Sequence, residues 1–199
     1  TLSIRRDPAV DIYQAYPGNE VRAFTYAGPH TALSIDSRVQ VVTKQRPAVV
    51  DDIPAAQQWD QLQHLRRKMP EQAGASLSEG QAVDFSGHLI DFLKQEKFHS
   101  LSEVQENAQL QDMSLLTPLQ ASRRLQTYIY DNFKYIKGIT TVETTLDEVW
   151  KLRAGVCQDF AHFLLVLLRQ INIPARYVSG YICPNNSGMR GEGATHAWI

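Results

Sequence analysis

One cysteine and one histidine carry the chemical interest of this sequence. The segment Gly155-Val156-Cys157-Gln158-Asp159-Phe160-Ala161-His162 runs into an apolar pattern made by Phe160, Leu164, Leu167, Leu168 and Ile171. That spacing predicts a buried helix with Cys157 in its first turn. Unpaired backbone N–H groups and the positive end of the helix dipole face that position. Such surroundings favour thiolate, the nucleophilic form of a cysteine. Gly155 is expected to let the backbone turn sharply and to leave space for a substrate. The plainer alternative is a structural cysteine, because free cysteine is among the most buried residue types.

A hydrolytic or acyl-transfer cysteine needs a base held on a second element. Six histidines are present. His162 lies five residues after Cys157, about 140° around the helix, so it is expected to point away from the thiol and to serve in helix packing or behind the site. His88 and His99 belong to an earlier helical region, while His30 and His64 sit near turns or polar faces. His196 alone opens a predicted strand after a glycine-containing loop. An antiparallel pair formed by residues 176–182 and the strand from His196 can pack across the Cys157 helix and deliver the imidazole. A zinc site from Cys157, Cys183 and His196 is the weaker idea, since it lacks paired C-x-x-C or H-x-x-x-H spacing.

The elements that must position these groups can be read from the same text. Up to about Lys44 the pattern is β-like: Val21, Ala23 and Thr25 alternate with Arg22, Phe24 and Tyr26, and Val39 and Val41 alternate with Arg38 and Gln40. Pro17-Gly18-Asn19 and Gly28-Pro29 supply turns. Helical spacing follows in Ala82, Phe85, Leu89, Phe92 and Leu93, and again in Leu125, Tyr128, Ile129 and Phe133, with a loop expected over 71–80. Thr117, Pro118 and Gln120 spell a helix start with a capping box, and Thr145 with Glu148 spells another, opening a short helix with Leu146, Val149 and Trp150 on one side. After Ile171 the helix is expected to be ended by Asn172 and Pro174, since the residue before a proline avoids helical dihedrals. The order of β unit, helices and then strands predicts an α+β class. Residues 1–46 are expected to be the end of a β-rich domain, and 47–199 the core that holds the site.

Composition narrows the function classes. With 199 residues, 43% apolar and 21% charged, the chain has ordinary globular proportions. Twenty basic against twenty-one acidic residues leave a net charge of −1, which supplies no general field for nucleic acid or an anionic membrane. Neither nucleic acid nor membrane is therefore an expected partner. Two cysteines, Cys157 and Cys183, are too few for a disulfide framework and allow at most one pairing. No cofactor motif is present. Thr1 in place of Met, and a last segment that reads as the start of a strand, predict that the chain is cut at both ends. The expected location is the cytoplasm, with the true N-terminus out of view.

A linked set of segments resembles the bacterial transglutaminase-like proteins. These are Phe133-Lys134-Tyr135, then Gly138, Thr140-Thr141-Val142 and Thr144, then Gly155 through His162, then Ile173-Pro174-Ala175-Arg176-Tyr177-Val178-Ser179-Gly180-Tyr181, and finally His196-Ala197-Trp198. Order and spacing agree as well as residue type over roughly 118–199. Tyr16, Gly18-Asn19, Phe24, His30 and Leu33 resemble more loosely the end of the β-rich domain these proteins carry. The resemblance implies a papain-like thiol core in which the cysteine heads a helix and the histidine opens a strand. It also implies an orienting aspartate on the next strand, beyond Ile199; Asp159, held in the cysteine's own helix, is not expected to replace it.

The chemistry implied is acyl transfer on amide or peptide bonds. Cys157 is the expected nucleophile and His196 its base, with a peptide or protein as substrate. Protease or amidase activity is expected first and protein cross-linking second. The Cys157 backbone N–H is the expected oxyanion donor. Gln158, Tyr135 and Trp150 are candidates for a second, though packing or surface roles are the plainer reading of each. A non-catalytic binding or scaffolding module on the same fold is the rival reading.

Overall fold

The computed structural model describes residues 2–4, 9–15, 19–29, 31–37, 42, 44–45, 47–67, 98–182 and 195–199. The expected helix through Ala82, Phe85, Leu89, Phe92 and Leu93, the 71–80 loop, the Val39 and Val41 strand, His30, His88 and Cys183 lie outside the described residues. What is described falls into two compact units, divided between Val49 and Val50.

The first unit is β. Strand β1 (Leu2–Ile4) pairs antiparallel with β4 (Ile35–Ser37), and β2 (Val10–Ala15) pairs antiparallel with β3 (Asn19–Phe24) in register Val10 to Phe24. Arg22 and Glu20 form an ion pair at 2.8 Å. None of the described side chains of this unit is buried, and Ile12 and Tyr13 are exposed. Two-stranded ribbons of this kind have no hydrophobic interior of their own.

The second unit holds the core. It runs α1 (Ala55–Arg67), α2 (Leu101–Asn107), a 3-10 turn (Leu110–Leu115), α3 (Pro118–Asn132), β5 (Lys134–Tyr135), α4 (Leu146–Leu152), β6 (Ala154–Gly155), α5 (Cys157–Gln170), β7 (Val178–Tyr181) and β8 (Thr195–Trp198). No helix among the described residues is long and apolar enough to cross a membrane. A mainly helical run closed by the antiparallel β7–β8 pair, and β ribbons in the other unit, make the chain α+β.

Both expected capping boxes form. Thr117 accepts the Gln120 N–H while the Gln120 side chain takes the Thr117 N–H, and Thr145 and Glu148 exchange the same two bonds. Thr117 also donates to Asp51, which accepts a second bond from Gln58 on α1; Gln58 and Thr117 together hold the Asp51 carboxyl below its ordinary range. The indole N–H of Trp59 donates to the Leu116 carbonyl at 2.8 Å. Helix α1 is thereby tied to the start of α3. At α4, Asp147 accepts from the His99 and Ser100 backbone N–H groups and from the Ser100 hydroxyl, and its Oδ2 lies 3.1 Å from His99 Nδ1. Against the upward push of burial, these bonds hold the Asp147 carboxyl far below the usual carboxylate range.

Helix α5 is the centre of the unit, packed by α3, α4 and β8. Its most deeply buried side chains are Phe163 and Leu167, with Leu165, Val166 and Leu168 close behind. The expected stripe of Phe160, Leu164, Leu167, Leu168 and Ile171 is only part of this: Phe160, Leu164 and Ile171 are partly buried, and the helix is covered on more than one side. A single amphipathic stripe cannot describe a helix enclosed that way. Phe163 stands in an aromatic cluster, stacked on Trp150 and tilted against Phe133, with Phe98 edge-on.

Helix α5 is ended by Asn172, as expected. Asn172 adopts a left-handed φ of 63°. Its N–H bonds the Arg169 carbonyl, and the Ile173 N–H reaches back to the Leu168 carbonyl. This is a Schellman closure, so the helix is stopped by asparagine two residues before Pro174 exerts its own restriction. Strand β7 is shorter than the expected 176–182, and β8 begins one residue before His196.

Candidate active site

Two short strands meet where α5 begins. Strand β5 pairs parallel with β6, matching Lys134 to Ala154 and Tyr135 to Gly155. The Lys134 N–H donates to the Arg153 carbonyl at 2.8 Å and the Ile136 N–H to the Gly155 carbonyl at 2.9 Å. Because β6 leads directly into α5, this pairing sets Tyr135 beside the residue two positions before Cys157. Cys157 is the first helical residue of α5, is half-buried, and carries a free thiol.

The helix start is fastened by Asp159. Val156 has no side-chain acceptor to give, so only the return half of a capping box is made: Asp159 Oδ2 accepts the Val156 N–H at 2.7 Å. The same oxygen accepts the Thr140 hydroxyl at 2.7 Å. Asp159 is 5% exposed. It ties the loop after β5 to the first turn of α5.

Gly155 serves a different purpose from the one expected. It is buried, and a Cβ placed there would lie 2.6 Å from Asp159 Oδ2 and 2.8 Å from the Asp159 Cβ. Its φ is not left-handed, unlike that of Gly138. Glycine is required here so that the Asp159 carboxyl can close over the backbone; the space belongs to that carboxyl.

Two tyrosines face the thiol. Tyr135, paired to Gly155 through β5 and β6, and Tyr177 both lie close enough for the Cys157 thiol to act on their phenols. Tyr135 is 53% exposed. Partial burial, followed by the neighbouring Cys157 and Asp159, pushes the phenol pKa up. Tyr177 is raised in the same way, first by burial and then by Cys157 and Asp159. The exposed His162 ring stacks on Tyr177 with centroids 4.8 Å apart. His162 is thus a surface residue behind a tyrosine of the site, and not a packing residue of the core.

His196 lies on β8, opposite Gly180 of the antiparallel partner β7. Its ring meets Trp198 edge-on at 5.1 Å. A Cβ on Gly180 would come within 2.7 Å of the Trp198 ring, so glycine makes room for the indole next to the imidazole. Strand β8 packs against α5. The fold therefore brings the element bearing His196 onto the helix that Cys157 heads. Of the three candidates for a second oxyanion donor, Tyr135 is at the thiol. Trp150 is buried in the aromatic cluster with the Arg153 guanidinium 3.2 Å over its ring, and Gln158 is the half-buried second residue of α5. Among the described residues no cluster of three or more His, Cys, Asp or Glu side chains could hold a metal ion.

Residues 107–199, which contain all of this geometry, match the core of the transglutaminase-like superfamily. That segment belongs to the superfamily. Its transglutaminase-like core has the papain-like arrangement, with the cysteine at a helix start and the histidine on a strand. An uncharacterised protein of Mycobacterium tuberculosis is 33% identical over 186 residues, covering 91% of this chain and 54% of the relative. One from Mycobacterium leprae is 32% identical over 195 residues, covering 94% and 60%. The chain thus spans a little over half the length of these relatives. The crystal structure of a proposed cysteine protease from Cytophaga hutchinsonii matches with a TM-score of 0.55 at 20% identity, over 99% of this chain and 58% of that one. At that identity the likeness is one of fold.

The place of Tyr177 near the thiol is not legible in the sequence, although it stands in the segment that resembles the family.

Proposed function

We propose that this transglutaminase-like chain performs thiol-dependent acyl transfer on amide or peptide bonds, with Cys157 as nucleophile and His196 as base. The observation that carries the reading is the placement of Cys157 as first residue of α5, against which the His196 strand packs. A first-turn thiol gains from the helix N-terminus in its anionic form.

In the proposed reaction His196 takes the thiol proton and Sγ bonds to the substrate carbonyl carbon. The carbonyl π pair moves onto oxygen, where the Cys157 N–H stabilises it. Collapse breaks the C–N bond, and the departing amine leaves with the proton held by His196. The thioester then passes its acyl group to water, giving an acid, or to a second amine, giving a new amide. Peptide hydrolysis is the favoured outcome and cross-linking the second.

The test is turnover of a fluorogenic peptide amide by the wild type and by Cys157→Ala and His196→Ala, with and without a primary amine acceptor. Each substitution is expected to lower kcat by at least about 10³-fold, since members of such a unit act together. Turnover that survives in Cys157→Ala would falsify the reading. A chain whose fold is intact but whose thiol forms no thioester is a binding module.

A further inference from the structure

The segment that leaves α5 turns back along the same helix. The Ile173 N–H donates to the Leu168 carbonyl, and Arg169 Nη2 donates to the Ala175 carbonyl at 3.1 Å. Two residues on, the ring of Tyr177 lies against that of His162, centroids 4.8 Å apart and 21° from parallel. Residues 173, 175 and 177 thus meet 168, 169 and 162 in turn, and the chain is heading for the end of α5 where Cys157 stands.

Tyr177 leads directly into β7. From Tyr177 to Gly180 is three residues of extended chain, about 10 Å. From His162 to Cys157 is five residues of helix, about 7.5 Å. The two spans are close, and His196 stands opposite Gly180. A strand started at the level of His162 therefore brings the imidazole to the level of the thiol. A slip of one residue would move it by about 3.3 Å and turn its side chains to the other face. His162 itself is exposed and takes no part in the hydrophobic core.

We propose that His162 is a positioning residue for the acyl-transfer site, a role that rests on the function proposed above. By stacking on Tyr177 it fixes where β7 starts along α5. Through the β7–β8 pairing it then fixes His196 against Cys157. The His162 ring acts as a flat surface and handles no proton.

The test is alkylation of Cys157 by iodoacetamide in the intact chain, mapped by peptide mass. Sγ bonds to the methylene carbon, iodide leaves, and the thiol proton goes to the base. At about pH 6 a thiol depends on a well-placed base to lose that proton, whereas at about pH 10 it ionises unaided. His196→Ala gives the rate with no base. His162→Ala is expected to slow alkylation at the lower pH by about tenfold, since a misplacement of about 1 Å can cost up to about 10²-fold. At the higher pH it should stay within about threefold of wild type. His162→Phe keeps a flat ring without the nitrogens and should stay within about threefold of wild type at both pH values. Tyr177→Ala should reproduce His162→Ala, and the double variant should add nothing further, because both lose one contact.

Wild-type alkylation of His162→Ala at the lower pH, with His196→Ala slow, overturns the positioning role and leaves His196 as the base. Failure of His162→Phe alongside His162→Ala overturns it too, because the imidazole would then act through its nitrogens. So does an equal loss at both pH values, which would be a loss of fold or of access to the sulfur. If His196→Ala itself matches wild type at the lower pH, His196 is not the base, and the function proposed above falls together with this role.

Discussion

Replacing Asp159 by alanine removes two hydrogen bonds that meet on one oxygen. The Val156 N–H and the Thr140 hydroxyl both donate to Oδ2 at 2.7 Å, and the side chain is 5% exposed. Hydrogen bonds to a charged acceptor contribute about 1.5–3 kcal/mol each. Val156 and Thr140 are only half-buried, so water can reach the donors that lose their acceptor, and the low end of that range applies. The expected loss is about 3 kcal/mol, a large share of the roughly 5–15 kcal/mol that holds a domain folded. Asp159→Asn keeps an acceptor oxygen of the same shape and should lose about 1 kcal/mol. Urea unfolding followed by tryptophan fluorescence measures both, with an unchanged slope expected. A double-mutant cycle with Thr140→Val should show coupling of about 1 kcal/mol, since the two residues share a bond. An Asp159→Ala protein within about 0.5 kcal/mol of wild type would refute the reasoning. It would mean that the loop after β5 and the start of α5 hold together without this carboxylate.

Gly155→Ala should destabilise the fold by about 1–3 kcal/mol, the usual cost of an extra methyl in a filled space, because its Cβ would overlap the Asp159 carboxyl; thermal melting beside Asp159→Ala/Gly155→Ala, which removes the obstructing group, checks the cause. Asp147 contributes stability through a depressed folded pKa, so its contribution is complete above the ordinary carboxylate range and lost as pH falls below about 4. An Asp147→Asn protein should therefore be less stable than wild type at pH 7, with the gap narrowing in acid; a gap independent of pH from neutral to acid would contradict it. Asn172 has φ of 63°, so Asn172→Ala should lose about 1 kcal/mol relative to Asn172→Gly in chemical denaturation, and equal stability of the two would remove the left-handed closure as the helix stop.

Much of the local structure is decided by residues a few positions apart, which is why it could be read directly. The Thr117-Pro118-Gln120 and Thr145-Glu148 boxes form as their spacing dictates, since each partner is one helical turn from the other. The same locality places Cys157 at the head of α5 and His196 on a strand. The family likeness follows from the order of those segments. Tertiary structure decided what lies across from each. Nothing in the period of α5 shows that it is covered by α3, α4 and β8 together, so Phe163 at its centre was left out of the expected stripe. Gly155 read as room for a substrate, but the Asp159 carboxyl fills that room, because the turn of the helix folds it back over β6. Tyr135 was one name among three for an oxyanion donor; the parallel pairing of β5 with β6, across about twenty residues of chain, is what sets it beside the start of α5. Periodicity reports which way a side chain faces along its own element. Which group waits on the other side depends on pairings between distant segments, and those exist only once the chain has folded.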